Sequence, residues 1–205
     1  MKISIIDLDV CNVHSISKCI EHLGLKFSIA KNPSELQDSE IIIFPGIGSY
    51  PAVMKKIIKN NWINILNQKI IHEKRKYLGI CLGMQILTDT GEEFISHAGL
   101  GYINGNVLNL RKIKCELVLP HTGWNSVNIK NKSGLFKDIK NGTHFYFNHT
   151  FVLNNIDEKY VTSRTEYQKE FISSIRKDNI FGVQFHPEKS SSAGIQIVKN
   201  FIISS

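Results

Sequence analysis

A cysteine stands between two glycines in the segment KYLGICLGMQIL, residues 76–87. Gly79 and Gly83 lie two positions before and after Cys81. The run before Cys81 has the pattern of a buried strand and the run after it that of a helix. Small flanking residues relieve the crowding of a sharp strand-to-helix turn, which lifts a nucleophile out of the sheet. The helix dipole and free N–H groups would favour a thiolate, and the N–H of Leu82 is a candidate oxyanion donor. The alternative is a small cysteine buried under a helix.

A thiolate that performs acyl transfer needs a base, and the base needs an orienting group. The segment GVQFHPEKS, residues 182–190, offers both. A strand ends at Phe185, His186 follows, and Pro187 stops the strand before Glu188. Residues two apart point to the same side of an extended segment, so Glu188 can hold the imidazole of His186 in one tautomer. His121 and His149 are weaker candidates for the base, because neither has a neighbouring carboxylate.

A glycine-rich turn, PGIGS at residues 45–49, follows another strand-like run. It lacks the lysine and the following serine or threonine of a phosphate-binding P-loop. Its backbone N–H groups can instead face an oxyanion or a substrate.

The elements that would position these residues alternate through the first half of the chain. KISIID, KFSIA, EIIIFPG and KYLGI read as strands, and helices are predicted over residues 12–23, residues 50–73 in one or two pieces, and from about Gly83. Alternating strands and helices predict a parallel sheet with helices on both faces.

The second half is predicted to be mainly antiparallel. Six short strand-like runs precede a C-terminal helix in SSAGIQIVKNFIIS. The expected fold is α/β: an open, mostly parallel twisted sheet flanked by helices with added antiparallel strands, in a single domain over residues 1–205. Ligands bind such sheets beyond the carboxyl ends of the strands, where both glycine turns lie.

Composition excludes several classes of protein. The 205 residues are 42% hydrophobic and carry a formal charge of +7 with 21% charged residues. No apolar run approaches the roughly 20 residues of a membrane span, and the N-terminus is too short and acidic for a secretory signal, so we expect a cytoplasmic protein without membrane contact. The basic stretch KIIHEKRKY, residues 69–77, is interpreted mainly as a solvated helix end. The sequence has no stripe of basic residues interleaved with aromatic ones, the pattern that would indicate nucleic-acid binding. The cysteine and histidine spacings predict no disulfide framework and no metal site.

Six motifs occur in an order that resembles the class I (triad) glutamine amidotransferases. They are FPGIGSY, GICLGMQIL, GLGYINGNV, LPHTGWN, YFNHTF and GVQFHPEKSS. The resemblance covers nearly the whole chain. Because LPHTGWN and GLGYINGNV are not general to the superfamily, the chain is most similar to the glutaminase subunits of imidazole glycerol phosphate synthases of histidine biosynthesis.

The resemblance implies a role for each matching position. Cys81 would be the nucleophile, His186 the general base and acid, and Glu188 the residue that orients His186. The reaction would convert L-glutamine to glutamate and ammonia through a thioester, without a cofactor. The oxyanion would be bound by the N–H of Leu82 and by one from the turn of Gly46, Ile47 and Gly48. Glutamine would be held by Gln85, Glu93, His149 and Thr150.

The resemblance also implies a partner, because the chain has no room for a synthase domain. Ammonia would pass to a separate (β/α)8-barrel cyclase subunit in a heterodimer, and Asn12, Trp124, Tyr146 and Lys189 would lie toward it. The competing interpretation of Trp124 and Tyr146 is that they are ordinary core residues.

One segment departs from the family pattern D-Y-G-x-G-N after the first strand. This chain has DLDVCN, with Leu8, Asp9 and Cys11 where a tyrosine and two glycines are expected. The alternative function is therefore a paralogous glutaminase that feeds a surface-sugar amidotransferase. A different class of protein, a non-catalytic stabilising or regulatory subunit, is disfavoured because no member of the triad is missing.

Overall fold

A computed structural model describes residues 1–9, 12–131 and 134–203. Within these ranges the chain forms five α-helices and fourteen strands, joined by short 3₁₀ turns and one π-helical turn. The helices are α1 Val13–His22, α2 Tyr50–Lys59, α3 Trp62–Leu66, α4 Leu82–Gln85 and α5 Ser191–Ile203.

The strands form three sheets. The first five are β1 Ile3–Ile6, β2 Phe27–Ala30, β3 Ile41–Gly46, β4 Lys76–Cys81 and β5 Thr90–Gly91. The next five are β6 His97–Ala98, β7 Asn106–Asn109, β8 His121–Ser126, β9 Asn128–Ile129 and β10 His144–His149. The last four are β11 Phe151–Asn154, β12 Val161–Tyr167, β13 Lys169–Lys177 and β14 Ile180–Val183.

The main sheet has eight strands in the order β2-β1-β3-β4-β14-β13-β12-β9. The pairs from β2 to β14 are parallel, and β13, β12 and β9 continue the sheet in antiparallel pairs. The predicted fold class is thus confirmed. The inner parallel strands β1, β3, β4 and β14 are buried on both faces and consist of near-continuous apolar runs, as such strands must, whereas the edge strand β2 is only partly buried.

Helices cover both faces of this sheet. Buried side chains of α1 and α5 share one apolar cluster with it, and those of α2 and α3 share the other. The predicted helix over residues 50–73 is in three pieces, because α2 ends at Lys59 and the π-helical turn Asn67–His72 follows α3.

Two smaller sheets lie outside the main sheet. Strand β10 pairs with β8, and β11 belongs to a four-stranded sheet in the order β11-β7-β5-β6. One of the six strand-like runs of the second half, THFYFNHTFVL, is therefore two strands that divide at Thr150 between two sheets.

The basic segment of residues 69–77 is not a uniformly solvated face. The Lys69 side chain is buried, and its ammonium nitrogen lies 3.0 Å from Oε1 of Glu73. The interpretation as a solvated helix end is wrong for Lys69, because Lys69 and Glu73 are four residues apart and meet on one side of the π-helical turn.

Candidate active site

Cys81 is the last residue of β4 and immediately precedes α4. Its backbone has φ of 53° and ψ of −107°, a region that non-glycine residues rarely adopt. Such strain persists only where the surrounding structure imposes it, and it is concentrated at functional sites. The backbone thus makes the sharp turn that the two flanking glycines predict.

Close backbone packing explains these two glycines. A Cβ atom at Gly79 would lie 2.3 Å from the carbonyl oxygen of Gly83, and one at Gly83 would lie 2.0 Å from that of Phe44. The residue pairing of β3 with β4 also sets Gly46 beside Cys81. The PGIGS turn and the cysteine turn therefore leave neighbouring strands side by side.

The helix after Cys81 is only one turn long, Leu82–Gln85. The chain then turns away, and backbone N–H groups of residues 100, 102 and 103 bond to the carbonyl oxygens of Ile86 and Leu87. A single turn aligns few peptide dipoles, so the expected stabilisation of a thiolate by a full helix dipole is reduced. Neighbouring side chains must supply the rest.

His186 and Glu188 form the predicted pair. Nδ1 of His186 lies 2.8 Å from Oε1 of Glu188, and both side chains are buried. The segment is not extended as predicted, because Pro187–Lys189 forms a 3₁₀ turn. That turn still brings the carboxylate back onto the imidazole.

The charge state of His186 depends on its neighbours. Burial by itself lowers the pKa of His186, but the charge of the Cys81 sulfur, a hydrogen bond with that sulfur and the Glu188 carboxylate together raise the pKa to about 10. With Nδ1 bonded to Glu188, Nε2 is the nitrogen left for the sulfur. This arrangement favours the protonated imidazole of His186 at neutral pH.

Strand β10 fixes the position of the histidine turn. The N–H of His186 donates to the carbonyl oxygen of Tyr146 at 2.8 Å. The hydroxyl of Ser190 accepts from the N–H of Tyr146 at 2.9 Å and donates to the carbonyl oxygen of His186 at 2.6 Å. Two hydrogen bonds thus join the turn to the backbone of Tyr146, and a third closes the turn between Ser190 and His186.

A pocket of about 110 Å³ opens beside the sulfur. It is lined by ten residues: Ile47, Gly48, Cys81, Leu82, Gln85, Glu93, Asn148, His149, Thr150 and Phe151. All the predicted oxyanion and substrate residues except Gly46 are in this set, and Gly46 lies beside Cys81 in the sheet. Asn148 and Phe151 are additions that the sequence did not single out.

Glu93 also connects the pocket to the glycine turn. Its Oε2 accepts a hydrogen bond of 2.6 Å from the N–H of Tyr50, the first residue of α2. The turn at Gly48, where φ is 97°, lies just before this point. Glu93 therefore anchors the C-terminal side of the PGIGS turn as well as lining the pocket.

A second buried amide, Gln184, lies against Cys81, and none of the sequence motifs singles it out. Its Nε2 is 3.4 Å from Sγ of Cys81, and its Oε1 accepts a bond of 3.0 Å from Nε2 of Gln85. Gln85 is itself buried and does not face the solvent. A glutamine within the apolar run FGVQF was the one available signal.

His121 and His149 bond to each other rather than to the sulfur. Nδ1 of His149 lies 3.0 Å from the carbonyl oxygen of Phe151, which can only accept, so His149 carries its proton on Nδ1. Its Nε2 must then accept from Nδ1 of His121, at 3.0 Å, and Nε2 of His121 accepts from Asn125 at 3.2 Å. Both imidazoles are neutral with one defined tautomer, and neither is placed as the base.

Three of the four expected interface residues form one group outside the triad. The Trp124 and Tyr146 rings pack edge to face with centroids 6.3 Å apart, and the ammonium nitrogen of Lys189 lies 5.7 Å from the Tyr146 ring centroid. Trp124 is 51% exposed, so it is not a core residue. Asn12 instead caps α1, where its side chain accepts from the N–H of Ser15.

The atypical turn is described only in part, since Cys11 lies outside the described residues. Asp9 has φ of 54°, the conformation that favours the glycine expected there. Its N–H donates to Oδ1 of Asp7 at 2.9 Å, and aspartate tolerates such a turn. The left-handed backbone at this position is thus kept without glycine.

The other described cysteines differ from Cys81. Cys19 is buried on α1, where burial and the charge of Glu188 raise its pKa to about 11. Cys115 is fully buried, and its sulfur donates to the carbonyl oxygen of Tyr167. Across residues 1–9, 12–131 and 134–203, no cluster of three or more histidine, cysteine or acidic side chains could hold a metal ion, and no helix is long and apolar enough to cross a membrane.

Comparison with known proteins agrees with this geometry. Residues 4–205 match the family described as glutamine amidotransferase class-I. The chain belongs to this family. Two relatives are imidazole glycerol phosphate synthase subunit HisH of Methanocaldococcus jannaschii, at 42% identity, and HisH 1 of Campylobacter jejuni, at 38%; each alignment covers 98% of both chains.

Solved structures of other glutamine amidotransferases share the fold. One crystal structure, described as that of a glutamine amidotransferase, superposes with a TM-score of 0.75 at 15% identity. The superposition covers 98% of this chain and 96% of that one. The PurLQS structure from Thermotoga maritima gives 0.73 at 19% identity, with coverage of 98% and 97%. These similarities support the fold alone, while the closer sequence relatives carry the family assignment.

Proposed function

We propose that this chain is the glutamine-hydrolysing subunit of an imidazole glycerol phosphate synthase, acting in histidine biosynthesis in the cytoplasm. The observation that carries the proposal is the alignment of Cys81, His186 and Glu188 beside a pocket lined by the residues expected to bind glutamine. Full-length relatives named as HisH subunits support the choice of pathway.

The first half-reaction begins from the thiolate–imidazolium pair. Sγ of Cys81 attacks the carboxamide carbon of L-glutamine, and the carbonyl oxygen takes up the negative charge. The N–H of Leu82 and one N–H of Ile47 or Gly48 bind this oxyanion, which is the largest electrostatic contribution in such reactions. His186 gives its proton to the amide nitrogen, the C–N bond breaks, and ammonia leaves a glutamyl thioester.

The second half-reaction is hydrolysis of the thioester. His186, now neutral, accepts a proton from water as the water attacks the same carbon. The C–S bond breaks, glutamate leaves, and the proton returns the site to its thiolate–imidazolium state. Glu188 stays ionised and keeps Nδ1 of His186 as the donor, so that Nε2 serves both steps. Gln85 and Glu93 bind the polar groups of glutamine, and no cofactor takes part.

The ammonia is used by a second subunit. We assign this role to a cyclase of (β/α)8-barrel fold that makes imidazole glycerol phosphate and AICAR, bound as a heterodimer over the surface of Trp124, Tyr146 and Lys189, with Asn12 as a further interface residue. Exposed aromatic side chains and a flanking lysine suit such an interface. No role in this scheme requires nucleic acid or a membrane.

Glutamate release from glutamine tests this proposal. The purified chain is assayed alone and with the histidine-pathway cyclase and that cyclase's nucleotide ligand, beside a Cys81→Ala variant. Strong stimulation by the liganded cyclase, absent in the variant, is the expected result. Failure of the chain and the cyclase to make imidazole glycerol phosphate from glutamine would refute the assignment to histidine biosynthesis. A wild-type complex that releases no glutamate would refute the assignment of glutaminase activity.

The segment Asp7–Asn12 favours one second candidate, a paralogous glutaminase that feeds a surface-sugar amidotransferase. Its residues differ from the family pattern at three positions, Leu8, Asp9 and Cys11. Glutaminase activity that is indifferent to the histidine-pathway cyclase but stimulated by a sugar amidotransferase would support this candidate instead.

A further inference from the structure

The side chain of Gln184 lies against the sulfur of Cys81. It is fully buried, one residue beyond β14, and its backbone N–H is bonded to the carbonyl oxygen of Ser173 at 2.9 Å. Its Nε2 lies 3.4 Å from Sγ of Cys81. A buried amide beside a nucleophile has no packing advantage over an apolar side chain of the same shape, so its polar atoms need a reason to be there.

The orientation of this amide follows from its neighbours. The carbonyl oxygen of Phe151 can only accept, and the Gln85 atom 2.9 Å from it is therefore Nε2. The same Nε2 lies 3.0 Å from Gln184, which must turn its Oε1 toward Gln85. The NH₂ group of Gln184 is then the group that faces Cys81. A flipped amide would set two donors against each other at Gln85 and two acceptors against each other at the sulfur.

A hydrogen bond from this amide favours the charged form of the sulfur, because a thiolate is a far better acceptor than a thiol. Because helix α4 is only one turn long, groups close to the sulfur must supply the stabilisation of its charged form. His186 supplies a charge on one side, and Gln184 supplies a neutral donor that stays in place when His186 gives its proton away.

We propose that Gln184 is a catalytic residue whose side-chain amide donates a hydrogen bond to the Cys81 thiolate. The bond holds the sulfur for attack and stabilises it again when the thioester is hydrolysed and the thiolate departs. Gln85 is the positioning residue for this donor. The inference rests on the proposed role of Cys81 as nucleophile.

The test is the pH dependence of Cys81 alkylation by iodoacetamide in the full chain, followed by mass spectrometry of the Cys81 peptide. Gln184→Met removes both polar atoms from a side chain of nearly the same shape. The pH at the midpoint of the alkylation profile should rise by about one unit in the variant. At pH values below both midpoints, the variant should then be alkylated about tenfold more slowly than the wild type. The titratable groups around the sulfur, His186, Glu188, Glu93 and His149, are the same in both chains, so the difference reports Gln184.

Gln196→Met is the matched control, since the same amide is removed from α5 and its bond is to Asn200. Its profile should match that of the wild type. If Gln184→Met does not fold, Gln184→Asn keeps an amide but withdraws it from the sulfur by one methylene, and the midpoint should again rise. An unchanged profile in a folded Gln184 variant would overturn the proposal.

Glutamate release by the complex with the cyclase distinguishes two roles of Gln184: donating a hydrogen bond to the sulfur, and holding the side chain of Gln85 in place. Loss of the donor should lower kcat, whereas a role only in holding Gln85 would raise KM and leave the alkylation profile unchanged. The alkylation result does not depend on glutaminase activity. An inactive wild-type complex would therefore refute the proposed function without deciding this inference, which the alkylation profile decides.

Discussion

Acidification should destabilise this chain through two buried neutral histidines, His121 and His149. Burial lowers the pKa of His121 to about 4. Burial, together with the charge of His121, lowers that of His149 to about 3, although the hydrogen bond to Phe151 opposes the shift. Both pKa values lie below the ordinary histidine value of 6.5, so the unfolded chain binds more protons than the folded chain at pH values between the folded and the ordinary pKa. Stability is therefore present above about pH 6.5 and is lost as the pH falls.

The magnitude follows from these shifts. Between about pH 7.5 and about pH 5, a histidine whose folded pKa is 4 or lower loses about 2 kcal/mol of stability, so the two together lose about 4 kcal/mol if they titrate independently. His186 has the opposite sign, because its raised pKa gives stability that is fully present at acid pH and lost only as the pH rises toward its folded value.

The experiment is urea unfolding followed by circular dichroism at both pH values, for the wild type and for His121→Gln. Glutamine keeps a donor for Nε2 of His149 but does not titrate. The variant loses the ring stacked on Tyr167 and is less stable at both pH values, but its loss on acidification should be smaller by about 2 kcal/mol, roughly 1 M in urea midpoint. The contribution of His186 is common to both chains and cancels.

His144→Gln is the control, because His144 is an exposed histidine on β10, the strand that pairs with β8. It should lose as much stability on acidification as the wild type. Equal losses in the wild type and in His121→Gln would refute the assignment of a neutral, buried His121.

Three further predictions concern the cysteine turn, the triad and the outer surface. Gly83→Ala should lower the unfolding free energy by about 3 kcal/mol or more in urea unfolding, because the new Cβ would meet a backbone oxygen that cannot move independently; wild-type stability would contradict this. Glu188→Gln keeps the shape but removes the charge that orients His186, so kcat for glutamate release should fall at least about 100-fold with little change in KM, and an unaltered kcat would exclude the triad role. Trp124→Ala removes an exposed ring, so it should weaken cyclase binding in calorimetry and change the unfolding free energy by no more than about 0.5 kcal/mol. A loss of stability as large as that of a buried core substitution would contradict the interface assignment.

The sequence predicted the parts of the site that depend on local geometry. The spacing of Gly79 and Gly83 predicts the turn at Cys81, because few backbone conformations allow a sharp reversal from strand to helix without steric clashes. His186 and Glu188 are two residues apart, so their contact needed only a tight turn. Strand alternation likewise gave the fold class and the edge of the sheet where both glycine turns lie.

Other parts of the site depend on long-range contacts that no local pattern encodes. His121 and His149 are 28 residues apart and meet only because β8 pairs with β10. The length of α4 is set by the hydrogen bonds of the following loop and not by helix propensity. Gln184 could be noticed as a polar residue in an apolar run, but its contact with Cys81 spans 103 positions in sequence.

Strand β10 links the outer surface to the catalytic groups. The ring of Tyr146 packs on Trp124 at the surface, while its backbone N–H and carbonyl oxygen bond to Ser190 and His186. Three residues further on, His149 lines the pocket beside Cys81. One short strand therefore sets the position of the exposed aromatic group, of the turn that carries His186 and of one wall of the pocket. A partner that shifts the backbone at Tyr146 would act on the backbone of His186, since the N–H of His186 donates directly to the carbonyl oxygen of Tyr146 at 2.8 Å.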